Sequence, residues 1–308
     1  MAAKENGAVD LAKLLKGRKT EERRIRYASR DVMLYALATG AGPEDLAYTF
    51  EKGKDGGGLK AVPSFGTVPC WPAMIIEPLY DIPKPASMMA LEHIDLEKHY
   101  LHMDHELVME KPVDPSGGEF VWQSEITDVY DRGEGKGAAV EEELVIRDES
   151  GETVCINRFK TYFFEGGGFG GEPMPKNKVA VPEREPDFTC DDYVGPMQHM
   201  IYRLTGDTNL IHADPAFAKK YGMEGPIVQG LCSFGFACRM LVEAFIPGEP
   251  ERMKRMAARM SAVLYPDTPV RLEAWDETAA QGKNAAVFRL MNLKTGQAVL
   301  DRGVFEWQ

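Results

Sequence analysis

The chain has 308 residues, 44% of them hydrophobic, and a formal charge of −12 at pH 7. That is enough for two ordinary cores or one large one, so disorder is not the default. The acidic balance argues against a nucleic-acid partner, which needs a basic face to neutralise phosphates, while a polyanionic small ligand would need only local Lys and Arg. Five cysteines, at 70, 155, 190, 232 and 238, show no C-x-x-C spacing and are odd in number, so reduced thiols are expected instead of a disulfide framework.

The N-terminal segment Met1–Arg24 carries charge throughout and lacks the apolar core of an export signal. No window approaches the roughly 18 apolar residues of a membrane span, and the last residues, Phe305-Glu-Trp-Gln308, are not a peroxisomal tripeptide. The cytoplasm is the simplest address. From about Arg23 to Tyr48 the pattern predicts a helix, with Ser29 as N-cap before Val32, Leu34, Tyr35 and Leu37, stopped by Gly42-Pro43. The apolar stretch 61–80 is rich in proline and predicts a broken or late-starting helix. Segments 118–130, 138–147 and 157–164 alternate or are rich in β-branched and aromatic residues, the signature of three antiparallel strands. A linker occupies 166–185.

The second half then echoes the first. Tyr35-Ala-Leu-Ala-Thr-Gly returns as Tyr202-Arg-Leu-Thr-Gly-Asp, and Gly151-Glu-Thr-Val-Cys as Gly296-Gln-Ala-Val-Leu, each of the latter leading into a closing aromatic strand. Shared turn chemistry would explain a Gly at each turn but not the shared order of elements.

The chemistry concentrates in Tyr202–Leu241. Gly206-Asp207-Thr208-Asn209 and His212 sit in a loop-prone run, whereas Val228–Phe245 is apolar on nearly all faces and ends at Pro247-Gly248. A helix apolar all round is a buried one that a sheet should wrap. Its first turn, near Gln229-Gly230-Leu231, leaves backbone N–H groups free to hold an oxyanion.

An Asp and a His five residues apart in one loop are, taken alone, more often structural than catalytic. This run resembles the MaoC-like dehydratases, and within them the two-unit hydratase 2 domain of peroxisomal multifunctional enzymes. The family pattern, Gly-Asp-x-Asn-Pro-aliphatic-His and then Asp-Pro-x-x-Ala, is matched by Gly206, Asp207, Asn209, Ile211, His212, Asp214, Pro215 and Ala218, with Leu210 in place of the proline. Gly225–Gly235 resembles the family's Pro-Ile-Leu-His-Gly-Leu-Cys-Thr run, with Gln229 in place of the histidine. Segments around Arg30, His102, Asp131, Gly168 and Ala258–Trp275 extend the likeness over almost the whole chain.

The resemblance implies an α+β double hotdog, two long helices each wrapped by a curved antiparallel sheet. A non-catalytic unit over 1–175 would shape the acyl pocket, and a catalytic unit would span 176–308. Gly40–Asp45, with no matching Asp and His, agrees with that division. It further implies hydration of trans-2-enoyl-CoA to (3R)-3-hydroxyacyl-CoA. His212 would activate water, Asp207 supply or share the proton, or only orient His212, Asn209 fix the water, and the Gly230 N–H hold the thioester oxyanion. Two alternatives stay open: a dehydratase for a bulky acyl-CoA such as a steroid side chain, and a degenerate acyl-CoA-binding hotdog protein.

An acyl-CoA thioester is the expected partner, with no membrane partner and no cofactor beyond the coenzyme A of the substrate; a homodimer stays open. Lys219, Lys220, Arg252, Lys254, Arg255 and Arg259 form a candidate footprint for its phosphates, Arg259 and Lys219 foremost, with Gln229 beside the acyl group. His93, His99, His102 and His105, three of them at three-residue spacing, invite a metal, but no Cys or paired carboxylate completes a ligand set. No metal is expected there, and these histidines are assigned to the surface and pocket edge. Ser233 lacks the Gly two residues before it that a nucleophile elbow needs, and the Gly-rich runs at 56–58 and 166–171 lack a phosphate-loop ending.

Overall fold

Alternation of buried and outward side chains builds ten strands, and a computed structural model describes them within residues 10–70, 86–92 and 100–308. The strands are β1 (Arg23–Ala28), β2 (Tyr100–Met109), β3 (Gly117–Asp131), β4 (Ala138–Arg147), β5 (Thr153–Phe163), β6 (Phe188–Val194), β7 (Met253–Met260), β8 (Thr268–Asp276), β9 (Ala285–Asn292) and β10 (Ala298–Trp307). In β4 and β5 every second residue is buried along most of the strand, as period-two geometry requires when one face packs on a core.

All ten join one sheet in the order β1-β3-β4-β5-β2-β7-β10-β9-β8-β6. From the central seam outward the first half runs β2-β5-β4-β3-β1 and the second β7-β10-β9-β8-β6, so both share one topology. The seam is the antiparallel pair β2–β7, with Asp104 opposite Arg259 and Val108 opposite Arg255. The echoed turns also match in detail. Asp148 Oδ1 accepts from Ser150 and Glu152 N–H ahead of β5, and Asn292 Oδ1 accepts from Lys294 and Thr295 N–H ahead of β10. Gly151 and Gly296 turn through φ of +85° and +70°, which a residue with a Cβ rarely adopts.

The long helix Gly230–Phe245 lies inside the second half, with Phe234, Phe236 and Leu241 fully buried against the core. Each such side chain stabilises the fold by roughly 1.5–3 kcal/mol. The helix Ser29–Ala38 crosses it closely. A Cβ at Gly235 would stand 2.2 Å from Thr39 Cγ2, and one at Gly40 2.3 Å from the Phe236 ring. The short helix Gln198–Arg203 caps the same crossing, because Gln198 Nε2 donates to the Leu37 and Ala38 carbonyls at 2.8 and 2.7 Å. Tyr35 and Tyr202, the echoed tyrosines, meet there with ring centroids 6.0 Å apart.

Two local expectations change. Arg23–Ala28 is a strand, not the start of a helix, because Ile25 and Tyr27 alternate inward while the arginines face out. Ser29 is the first helical residue and not the cap; the Asp31 carboxylate instead accepts the Ala28 N–H at 2.8 Å. In the first half, the place of a long helix begins as a 3-10 helix, Pro63–Cys70, and residues 71–80, the rest of the proline-rich stretch, lie outside the described residues. Close packing accompanies the tighter coil, since a Cβ at Gly66 would stand 2.9 Å from Cys155 Sγ. Cys155, Cys190, Cys232 and Cys238 are free thiols. No described helix is long and apolar enough to cross a membrane.

Candidate active site

Local capping presents His212. Asn209 Oδ1 accepts the Ile211 N–H at 3.1 Å and starts the 3-10 turn Leu210–His212, while Asp214 accepts from Ala216 and Phe217 N–H and starts the next helix, Pro215–Lys220. Leu210 fills the first position of the turn, the position proline favours, with its side chain exposed, so the turn forms without proline. Ile211 packs with Ala218 and Ile227 beneath it.

The ring of His212 is buried and its Nδ1 lies 2.9 Å from the Ile227 carbonyl. A carbonyl only accepts, so Nδ1 carries hydrogen and Nε2 is left for chemistry. Nε2 lies 3.4 Å from Asp207 Oδ2, and Asp207 Oδ1 accepts the Asn209 N–H at 3.0 Å. Burial pushes the Asp207 carboxyl up, but the neighbouring His212 and the Asn209 N–H outweigh it and hold the group below its ordinary value. The resting site therefore holds a carboxylate at Asp207.

Asp207 and His212 open into a cavity of about 200 Å³ at the junction of the two halves. Its walls come from the loop (Asn209, Ile211), the start of the long helix (Gly230, Leu231, Ser233), the end of β7 through Leu264, β10 (Val299, Leu300) and β2 (Tyr100, Leu101, His102). Gly230 is the first residue of the helix, where N–H groups lack intrahelical partners. A Cβ there would stand 3.0 Å from Met260 Cγ, a tight contact to which the methionine would have to yield.

Of the residues singled out from sequence, Asp207, Asn209, His212 and Gly230 meet at this cavity, and Gln229, Lys219 and Arg259 do not line it. Gln229 is buried with Nε2 donating to the His199 carbonyl at 3.0 Å, so it fastens the helix start to its neighbour. Arg259 points to the outer face of the seam, 4.0 Å from Asp104, because strand alternation sends it opposite Met260. Lys219 sits exposed on the helix Pro215–Lys220. Arg252 and Arg255 are held in ion pairs with Glu249, and with Glu106 and Glu306. The Asn209 side-chain oxygen accepts the Ile211 N–H of the turn, and the residue lines the cavity.

Tyr100 and Leu101 are cavity residues that sequence reasoning did not assign; His102 stands at the pocket edge as expected, whereas His105 is buried and does not line the cavity. His93 and His99 lie outside the described residues. Among the described residues no three potential metal ligands converge.

The fold and this site define a two-unit hotdog protein with one acid/base pair. Residues 25–166 match the model of the MFE-2 hydratase 2 N-terminal domain, and residues 177–297 that of the MaoC like domain. The chain is 30% identical to a probable enoyl-CoA hydratase 2 of Dictyostelium discoideum, covering 96% of each. It is 32% identical to the peroxisomal multifunctional enzyme type 2 of Mus musculus over 82% of this chain, but spans only 33% of that longer protein. A MaoC-like dehydratase from Phytophthora capsici superposes with a TM-score of 0.82 at 27% identity, over 97% of this chain and 99% of that one. The chain belongs to the MaoC-like, hydratase 2 family.

Proposed function

We propose that the chain adds water across the double bond of trans-2-enoyl-CoA to give (3R)-3-hydroxyacyl-CoA, and catalyses the reverse dehydration. The observation that carries this is the meeting of Asp207 and His212 Nε2 at 3.4 Å, in one cavity with the first turn of the long helix. His212 Nε2 takes a proton from water as the water oxygen bonds to C3. The double-bond electrons move toward the thioester oxygen, where the Gly230 N–H stabilises the growing charge. The proton then passes to C2, which balances the addition. The Asp207 carboxylate stabilises the imidazolium formed midway and shares its proton, a role that its ionised resting state supports.

Residues 176–308 supply this chemistry and residues 1–175 shape the acyl site, a division that Tyr100 and Leu101 on the cavity wall support. Acid/base transfer needs no metal or redox cofactor, so coenzyme A enters only as part of the substrate. The (3R) outcome rests on the family alone. Hydration of short, medium, long and branched enoyl-CoAs by the purified chain tests the proposal. Turnover that disappears in Asp207→Asn supports it, and no turnover on any chain length refutes it.

A further inference from the structure

Residues three apart on a regular strand face opposite sides of the sheet, yet His102 and His105 on β2 touch. The register explains how. His102 stands opposite Thr161 and Asp104 opposite Lys160, so Met103 is an extra residue, a bulge that re-aims the side chain before it. Both imidazoles consequently stack on the Phe159 ring, with centroids 5.3 and 5.6 Å away.

Hydrogen bonds then order the pair. Asn157 Nδ2 donates to the Gly66 carbonyl at 3.0 Å, which turns Asn157 Oδ1 toward His105 Nε2, also at 3.0 Å. His105 Nε2 must therefore carry hydrogen. Burial holds His105 down to about 4, so its ring is neutral and its Nδ1 accepts. The donor to that nitrogen, at 3.2 Å, is His102 Nε2. His102 is held down to about 3 by burial and by His105, so it too is neutral at physiological pH, and it lines the cavity that holds Asp207. The other titratable groups facing this corner are Tyr100 on β2, His212 across the cavity, and His199 and Tyr202 on the helix Gln198–Arg203. The long helix presents Phe234, edge-on to His105.

We propose that His102 is a positioning residue for the Asp207–His212 pair: locked against His105 and Asn157 by the bulge, its imidazole walls Asp207 in opposite His212. A cation there would draw the carboxylate off His212; an uncharged, fixed ring leaves His212 as its partner. The catalytic half would then depend on a side chain from the other half. This rests on the acid/base reading above, and the test separates the two.

Wild type, Asp207→Asn, His102→Leu and His102→Gln are compared for kcat and KM on crotonyl-CoA. Imidazole nitrogen shifts of the wild type are tracked by NMR from about pH 5 to 8, where an unperturbed histidine titrates. The Gln amide nitrogen can replace Nε2 as donor to His105. We expect His102→Leu to lose at least about 10-fold in kcat with KM nearly unchanged, His102→Gln to recover most of it, and both wild-type rings to stay neutral with hydrogen on Nε2. Wild-type kcat in a folded His102→Leu, or a loss confined to KM, overturns the proposal. So does a His102 ring that takes up a proton in that range, which decides the matter even if the Leu variant fails to fold. A wild type that hydrates nothing refutes the hydratase reading instead, and the tautomers still report whether the ring is locked.

Discussion

Asp207→Asn keeps the shape of the side chain and removes the charge that faces His212 Nε2 across 3.4 Å. Two unit charges at that separation attract by about 5 kcal/mol at an effective dielectric constant of about 20. Each ~1.4 kcal/mol is a factor of ten in rate. If Asp207 stabilises the imidazolium formed as water gives up its proton, the variant loses at most about three and a half decades in kcat, within the roughly 10²- to 10⁴-fold range of lost acid/base catalysis. His212→Ala removes the base itself and falls in the same range. Because the two groups serve one proton transfer, the double variant is no worse than the worse single one. Loss of enoyl absorbance with crotonyl-CoA gives kcat, after circular dichroism has established that each variant is folded. Losses that multiply in the double variant would refute a shared step.

Gly230→Val drives a branched side chain toward Met260, whose Cγ a Cβ already approaches to 3.0 Å, and should abolish turnover while the melting temperature falls only modestly. Gln229→His keeps a buried donor near the His199 carbonyl and should retain substantial activity, whereas Gln229→Leu strands that carbonyl and costs about 1–3 kcal/mol of stability by denaturant titration. Glu142 is fully buried and accepts the Ser87 N–H at 2.8 Å, and burial raises it from 4.5 to about 7. The folded state therefore holds the proton more tightly than the unfolded one. Its stabilising contribution is complete below about pH 4.5, is lost as pH rises through about 7, and amounts to about 3 kcal/mol. Melting temperature measured over that range should fall in the wild type and stay flatter in Glu142→Gln.

The parts of this molecule that sequence reveals are those set by local chemistry. The strands 117–131 and 138–147 arise from alternation, the long helix from its unbroken apolar run, and the turn that carries His212 from Asn209 and Asp214, which cap the 3-10 turn at Leu210 and the helix at Pro215. β1 is hidden because six alternating residues run directly into a helix, and a short alternation cannot be told from a helical start. β2 is hidden for another reason. Its outward residues include Asp104 and Glu106, and the cations that donate to Glu106, Arg158 and Arg255, arrive from strands far along the chain. The same distance conceals Tyr100 and Leu101 as walls of the cavity, since the β2–β7 seam carries them there. Gln229 and Arg259 are adjacent in sequence to cavity residues but point away from them, a matter of side-chain direction that motif spacing does not encode.

The central claim is that Asp207 and His212 hydrate an enoyl thioester in one stereochemical sense. The most direct measurement is chiral analysis of the 3-hydroxyacyl-CoA formed from a trans-2-enoyl-CoA by the wild type and by Asp207→Asn. The account predicts the (3R) product alone from the wild type and almost none from the variant. A (3S) product, or equal product from both proteins, would contradict it.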